Sequence, residues 1–187
     1  SFFADKSITT GEGATILTQK KKIYKKIQLL RNQGREKSGT FIHKDLGMNF
    51  RTTDLQSAVG LAQLNKISKI EKERISKYNT YLKSLKNVGD LKFIKKNDQS
   101  NYIPFRFCVL TVHKSKLMNY LEKNKIQTRS FFYPLNMQPK MKIYKSGSNT
   151  ISKELYRKGI CLPIHHDIKN KDIKFICNTI KNFFKNK

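Results

Sequence analysis

Acidic residues are in short supply. Only 13 Asp and Glu stand against 39 Lys and Arg, a formal net charge of +26 over 187 residues. Arg is itself scarce beside Lys, and Arg is the better bidentate reader of bases and phosphates. The densest basic clusters, Lys20 to Lys22 with Lys25 and Lys26 and the lysines of residues 171–187, are not interleaved with stacking aromatics. Two readings remain: a nucleic-acid binder that releases counterions, or a compositional habit of a Lys-, Asn- and Ile-rich chain. Charge scattered over every segment favours the second.

Cysteine is also sparse. Cys108, Cys161 and Cys177 lack metal-type spacing, and the four His residues form no ligand pattern. The settings FCVL and ICLP mark the cysteines as small buried hydrophobes in a reducing compartment. No stretch approaches the ~20 apolar residues of a membrane-spanning helix. No basic region followed by an apolar core opens the chain, so no signal peptide is read and the cytoplasm is the expected location. Internal repeats and low-complexity linkers are absent from the sequence too.

What is present suits a packed core: 37% hydrophobic and 11% aromatic residues. A chain of 187 residues fits one domain, or one and a part. Residues 14–18 (ATILT) follow a glycine turn and read as a short strand. Residues 20–32 place Ile23, Ile27 and Leu30 at helical spacing, with Gly34 as the stop. Residues 33–51 show little periodicity, and that length suggests a functional loop. Thr53 and Gln56 have capping-box spacing. A helical stretch follows, with Leu55, Val59 and Ala62 on one face and then Ile67, Ile70, Tyr78, Leu82 and Leu85. Gly60 within it would admit a close neighbour.

From residue 87 the texture changes. Residues 91–94, 103–112, 126–132 and 160–163 read as extended, and residues 115–124, 152–158 and 172–184 as helical. Alternating elements predict an α/β or α+β region.

One lysine is distinguished by its setting. Lys6 stands between apolar Phe2, Phe3 and Ala4 and the turn-rich TTGEG run at residues 9–13. A partly desolvated lysine binds its proton less tightly, which frees the amine to condense with a carbonyl. Ser1 is near enough in sequence to offer a hydroxyl to a phosphate on the same group. For most lysines in so basic a chain, a solvated surface ammonium is the better reading.

The segment SFFADKSITTGEGATILT resembles the cofactor-lysine segment of the DegT/StrS sugar aminotransferases, fold type I enzymes that use pyridoxal 5'-phosphate. LRNQG at residues 30–34 and GMNFRTTDLQSAVGLAQL at 47–64 are similar to a second family block. TRSFFYPLNMQP at 128–139 and GICLPIHHDI at 159–168 resemble a third and a fourth. The blocks keep the family's order along nearly the whole chain. The first two are specific, the last two weak alone, and the wording is nearest to the branch that makes perosamine-type sugars.

The resemblance implies an α/β fold: the C-terminal portion of a fold type I transferase, with residues 1–52 ending the large domain, 53–86 a long linking helix and 87–187 a small α/β domain. It implies that Lys6 carries the cofactor and acts as the general base, and that Ser1 binds the cofactor phosphate. Asn49 would serve the cofactor and Arg51 the substrate of a neighbouring subunit, which implies a homodimer with shared sites. Asn136 would stand near the sugar. The implied reaction moves an amino group from glutamate to a nucleotide-linked 4-keto-6-deoxy sugar, feeding surface polysaccharides such as O-antigen, with neither nucleic acid nor membrane as partner. Ala14 in place of a second glycine, Phe50 in place of Tyr and Asn136 in place of His depart from the family pattern.

Family members carry a large domain upstream of the lysine. It supplies the carboxylate for the pyridine nitrogen, the aromatic on the ring and a phosphate loop. These 187 residues alone are therefore expected to be incomplete as a catalyst. Two other readings stay open: a basic nucleic-acid-binding protein, and an inactive relative that pairs with an intact aminotransferase subunit.

Overall fold

The computed structural model describes residues 1–37, 39–94, 99, 101–141, 143–144 and 147–186. Ser38, inside the expected loop, and Lys187, in the last basic cluster, lie outside the described residues. The chain divides into two compact units, Ser1–Ser68 and Lys69–Lys187.

In the first unit, α1 (Lys21–Arg31) ends as the sequence expects. Gly34 adopts φ +73° and its amide reaches back to the Leu29 carbonyl at 2.9 Å. A left-handed residue here costs glycine nothing and satisfies a carbonyl the helix leaves over. The strand expected over residues 14–18 does not form; the segment is irregular. β-branched residues make a strand only where a neighbouring backbone supplies the ladder. No such ladder reaches residues 14–18 among the described residues, and Leu17 is 89% exposed.

α2 (Asp54–Leu64) starts on the expected capping box: the Gln56 amide donates to Thr53 Oγ1 at 3.3 Å and the Thr53 amide to Gln56 Oε1 at 3.0 Å. The stretch 53–86, read as one linking helix, is two helices. Asn65 and Lys66 form a turn between α2 and α3 (Ile67–Leu85), where the Lys66 amide takes the Gln63 carbonyl three residues back. The expected α2 face is not a core face in this unit, with Leu55 82% exposed. Gly34 is the only buried residue among those described in residues 1–68.

The second unit holds the core. Strands β1 (Lys92–Phe93), β2 (Phe107–Leu110), β3 (Arg129–Ser130) and β4 (Gly159–Leu162) form an antiparallel sheet in the order β1-β2-β4-β3. β1, β2 and β3 are shorter than the extended stretches read from sequence, because only the paired residues join the ladder, and β4 has the expected length shifted by one residue. Phe107 and Val109 of β2 point to one face. There they meet Tyr78, Tyr81 and Leu85 of α3, Leu117 and Leu121 of α4 (Lys114–Lys123), and Ile173, Ile176 and Ile180 of α6 (Asn170–Lys185). Tyr81 stacks on Phe107 with centroids 4.6 Å apart, and its hydroxyl donates to the Pro163 carbonyl at 2.9 Å. α5 (Thr150–Lys158) lies outside this core and buries no residue.

Two cations of α3 are buried. Arg74 donates to the carbonyls of Pro104 and Phe105, both at 3.2 Å. Lys77 donates to the carbonyls of His165 and His166, at 3.3 and 2.5 Å. Burial pulls the Lys77 ammonium below its ordinary value, with Glu73 opposing. Both residues tie the helix to irregular chain that no strand satisfies. Replacing Lys77 with Met should lower stability by about 1–3 kcal/mol, because those carbonyls lose a charged donor; a urea midpoint unchanged from wild type would contradict this.

Asp90 fastens the end of β2. Its carboxylate accepts from Thr111 Oγ1 at 2.6 Å and from the Val112 amide at 2.7 Å. Burial raises its pKa, but these hydrogen bonds outweigh burial and leave it lowered. A carboxyl depressed in the fold adds stability above its unfolded value, about 4, and that stability is lost as pH falls through the folded value. Urea melts should therefore show Asp90→Asn less stable than wild type at neutral pH, with the gap narrowing in acid. A gap that widens in acid would contradict the assignment.

Candidate active site

The first eighteen residues form a closed lariat. The Phe2 amide donates to the Gly13 carbonyl at 2.8 Å and the Thr10 amide to the Phe2 carbonyl at 3.0 Å. Thr9 Oγ1 adds a bond to Phe2 O at 3.0 Å and accepts the Gly11 amide at 2.9 Å. The TTGEG run is thus a brace for the residues before it. α2 seats against this brace. Gln56 Nε2 reaches the Glu12 carbonyl at 3.5 Å, and a Cβ on Gly60 would lie 3.1 Å from Thr10 Cγ2, so the close approach expected at Gly60 is made by Thr10.

Phe3 holds both chemical candidates of this loop. Its amide donates to Ser1 Oγ at 3.3 Å, and its carbonyl accepts the Lys6 amide at 3.0 Å. Phe3 thus links the two residues through its two backbone groups. Lys6 is half-buried and Ser1 exposed. An amine and a hydroxyl held on one turn match the donor set of a phosphate-bearing aldehyde.

The second pair is built by residues 30–51. α1 ends against the returning chain through three backbone bonds: Gln33 to Met48 O at 3.0 Å, Met48 to Leu30 O at 2.8 Å and Phe50 to Arg31 O at 2.9 Å. Two glycines allow the contact. A Cβ on Gly47 would lie 2.3 Å from the Gly34 nitrogen, and one on Gly34 would lie 1.7 Å from the Asp45 carbonyl oxygen. The aperiodic stretch 33–51 is therefore, in its described residues, a loop whose ends are clamped. Lys26 pairs with Asp45, and Lys44 with Glu36 at 2.7 Å. Past the clamp, Arg51 Nε donates to Asn49 Oδ1 at 3.0 Å, so these two candidates stand together. Arg51 also borders a cavity of about 970 Å³ lined by Lys22, Lys25, Lys26, Arg31 and Arg35 with Glu36. Sequence reasoning did not find this basic hollow, which draws on α1 and on two separated parts of the following loop.

Asn136 lies in the second unit, on a 3₁₀ turn (Leu135–Met137), beside a cavity of about 450 Å³ shared with Met141, Tyr144, Asn149 and Ser152. The two weaker sequence blocks meet in that unit. β3 pairs with β4 in the register Arg129↔Cys161 and Ser130↔Ile160, and a Cβ on Gly159 would strike the Phe131 ring at 2.4 Å.

The model of the DegT/DnrJ/EryC1/StrS aminotransferase family matches residues 1–181. The chain belongs to this family. It is 31% identical over 189 residues to GDP-perosamine synthase of Vibrio cholerae, covering 98% of this chain and 52% of that one. Among solved structures it resembles Helicobacter pylori PseC, an aminotransferase of pseudaminic acid biosynthesis by its description. The TM-score is 0.87 at 22% identity, over 100% of this chain and 53% of that one. The PLP form of the putative sugar aminotransferase Spr1654 from Streptococcus pneumoniae gives 0.84 at 18% identity, over 100% and 51%. The chain spans about half the length of the curated relatives it matches. It has the α/β fold of sugar aminotransferases over that half. No helix among the described residues is long and apolar enough to cross a membrane.

Proposed function

We propose that this chain supplies the cofactor lysine and the inter-subunit loop of a pyridoxal-phosphate-dependent sugar aminotransferase. The amino group passes from glutamate to the keto carbon of a nucleotide-linked 4-keto-6-deoxy sugar, as in perosamine-type biosynthesis. The observation that carries this reading is the turn at Phe3, which holds Ser1 through one peptide group and Lys6 through the next. Family membership and the likeness to a PLP-form structure support the cofactor, and the name of the Vibrio cholerae relative supports the substrate class.

The cofactor, when bound, supplies an electron sink for the carbon that exchanges its proton. Lys6 Nζ would hold the cofactor and would be the base that takes and returns the proton at the reacting carbon. Ser1 Oγ accepts from the Phe3 amide, which leaves its own hydrogen to donate to the phosphate. Arg51, which donates to Asn49, would serve an anionic group of the substrate in a neighbouring subunit, and Asn49 would serve that subunit's cofactor. Asn136 is the candidate that reads the sugar.

Exposed Ile16, Leu17, Phe41, Leu46, Phe50 and Leu55 support a first unit covered by further protein, and a homodimer is the assembly we assign. The test is an assay of protein from its native source with glutamate and a nucleotide-linked 4-keto-6-deoxy sugar. Release of 2-oxoglutarate that depends on the keto sugar is expected. Folded, cofactor-loaded protein that aminates no such sugar would overturn the substrate class.

A further inference from the structure

We propose that Cys108 and Cys161 form an oxidisable thiol pair, a modification site that a two-electron oxidant of the hydroperoxide class converts to a disulfide across β2 and β4. The argument starts from register. Cys108 stands directly opposite Cys161 in the antiparallel ladder. Continuing that register places Thr111 opposite Lys158, and the Thr111 amide donates to the Lys158 carbonyl at 3.0 Å. Opposed pairs in an antiparallel ladder alternate between hydrogen-bonded and non-hydrogen-bonded. Counting back from Thr111 makes Cys108 and Cys161 a non-hydrogen-bonded pair. Such pairs bring their Cα atoms to about 4.5 Å and their side chains closest together, within the span a disulfide bridges. The two sulfurs are 3.8 Å apart, so bond formation needs side-chain rotation rather than strand movement.

The chemistry of the surroundings is consistent. Phe107 and Val109 point into the core, so Cys108 between them points to the opposite face of the sheet and is half-buried. Cys161 is held below the ordinary thiol range first by the hydrogen bond with Cys108, then by the charges of Arg106, Lys114 and Arg129. Cys108 is raised, first by its hydrogen bond with Cys161, in which either sulfur could donate, and then by burial. Arg129 stands opposite Cys161 in the β3–β4 register, and that neighbouring charge favours Cys161 as the attacking thiolate. Its sulfur displaces hydroxide from the peroxide and becomes a sulfenic acid. The Cys108 sulfur then attacks that sulfur and expels the oxygen as water. Overall, two thiols and one hydrogen peroxide give one disulfide and two waters. Cys177 is an internal control: it is buried in the core, and desolvation pushes its thiol up to about 11.

The test treats the reduced, folded protein with hydrogen peroxide, then maps the peptides by mass without reduction. The expected product has lost two hydrogens and joins the Cys108 peptide to the Cys161 peptide, with Cys177 still free to alkylate after unfolding. In Cys108→Ser the Cys161 sulfenic acid should persist and be trapped by dimedone; in Cys161→Ser neither cross-link nor trapped adduct should form. Both serines are near-isosteric, and a far-ultraviolet circular dichroism spectrum checks each fold. Oxidation that stops at separate sulfinic acids in wild type, or a cross-link that involves Cys177, would overturn the proposal. So would equal alkylation of all three thiols after peroxide.

Discussion

Lys6→Ala protein should carry no pyridoxyl group after borohydride and should lose amino transfer by about 10²–10⁴-fold or more, the range a positioned proton-transfer group contributes. The expectation follows from the loop rather than from the residue type. The chain is rich in lysine, yet Lys6 is the one whose backbone is fixed by a turn on the residue that also fixes Ser1. Alanine keeps the Lys6 amide and hence the bond to Phe3, so the lariat should survive and only the amine is lost. Lys174→Ala, an exposed change on α6, should leave loading and transfer unaltered. The same pair of variants separates the account from a counterion-driven nucleic-acid binder. In that case Lys6→Ala and Lys174→Ala would weaken DNA retention about equally, because each removes one charge from +26. Normal loading in Lys6→Ala would remove the assignment.

The second large effect falls on the clamp. Gly34→Ala should open residues 33–51 to proteolysis at least tenfold faster than wild type. Two costs combine. A left-handed conformation costs a residue with a Cβ roughly 1–2 kcal/mol, and Gly34 sits at φ +73°. The new Cβ would also lie 1.7 Å from the Asp45 carbonyl oxygen. That oxygen is backbone, so no side-chain rotation relieves the clash and the loop must move. About 1.4 kcal/mol already corresponds to tenfold. Gly39→Ala is the matched control. Its φ is +80°, but nothing lies within 4 Å of its Cβ position, so it carries the conformational cost alone. Equal cleavage rates in the two variants would show that the close approach of Gly34 to Asp45 does not hold the loop. Because Asn49 and Arg51 follow directly on the clamp, the Gly34 variant should also weaken whatever they bind.

The helices of the second unit were legible because each carries its own signal. Ile173, Ile176, Cys177 and Ile180 repeat at helical spacing, and they are buried as that spacing implies. The capping box at Thr53 and the stop at Gly34 were legible for the same reason, since caps are local chemistry. The break at Asn65 was not, because apolar stripes continue on both sides of it. Residues 14–18 failed differently. Their composition is right for a strand, but a strand is a relation between two segments. Cys161 and Cys177 are buried as expected and Cys108 is half-buried, but the meeting of Cys108 with Cys161 depends on a register that no local pattern encodes. Lys77 was misread with the other lysines, because the carbonyls it serves lie almost ninety residues away. The pairs Ser1 with Lys6 and Asn49 with Arg51 came from resemblance, and the hydrogen bonds that hold each pair came from the structure.

The most direct measurement is borohydride reduction of the protein from its native source, followed by peptide mass mapping. The account predicts one reduced pyridoxyl group, on the peptide that contains Lys6. Unmodified Lys6, or the group on any other lysine, would contradict it.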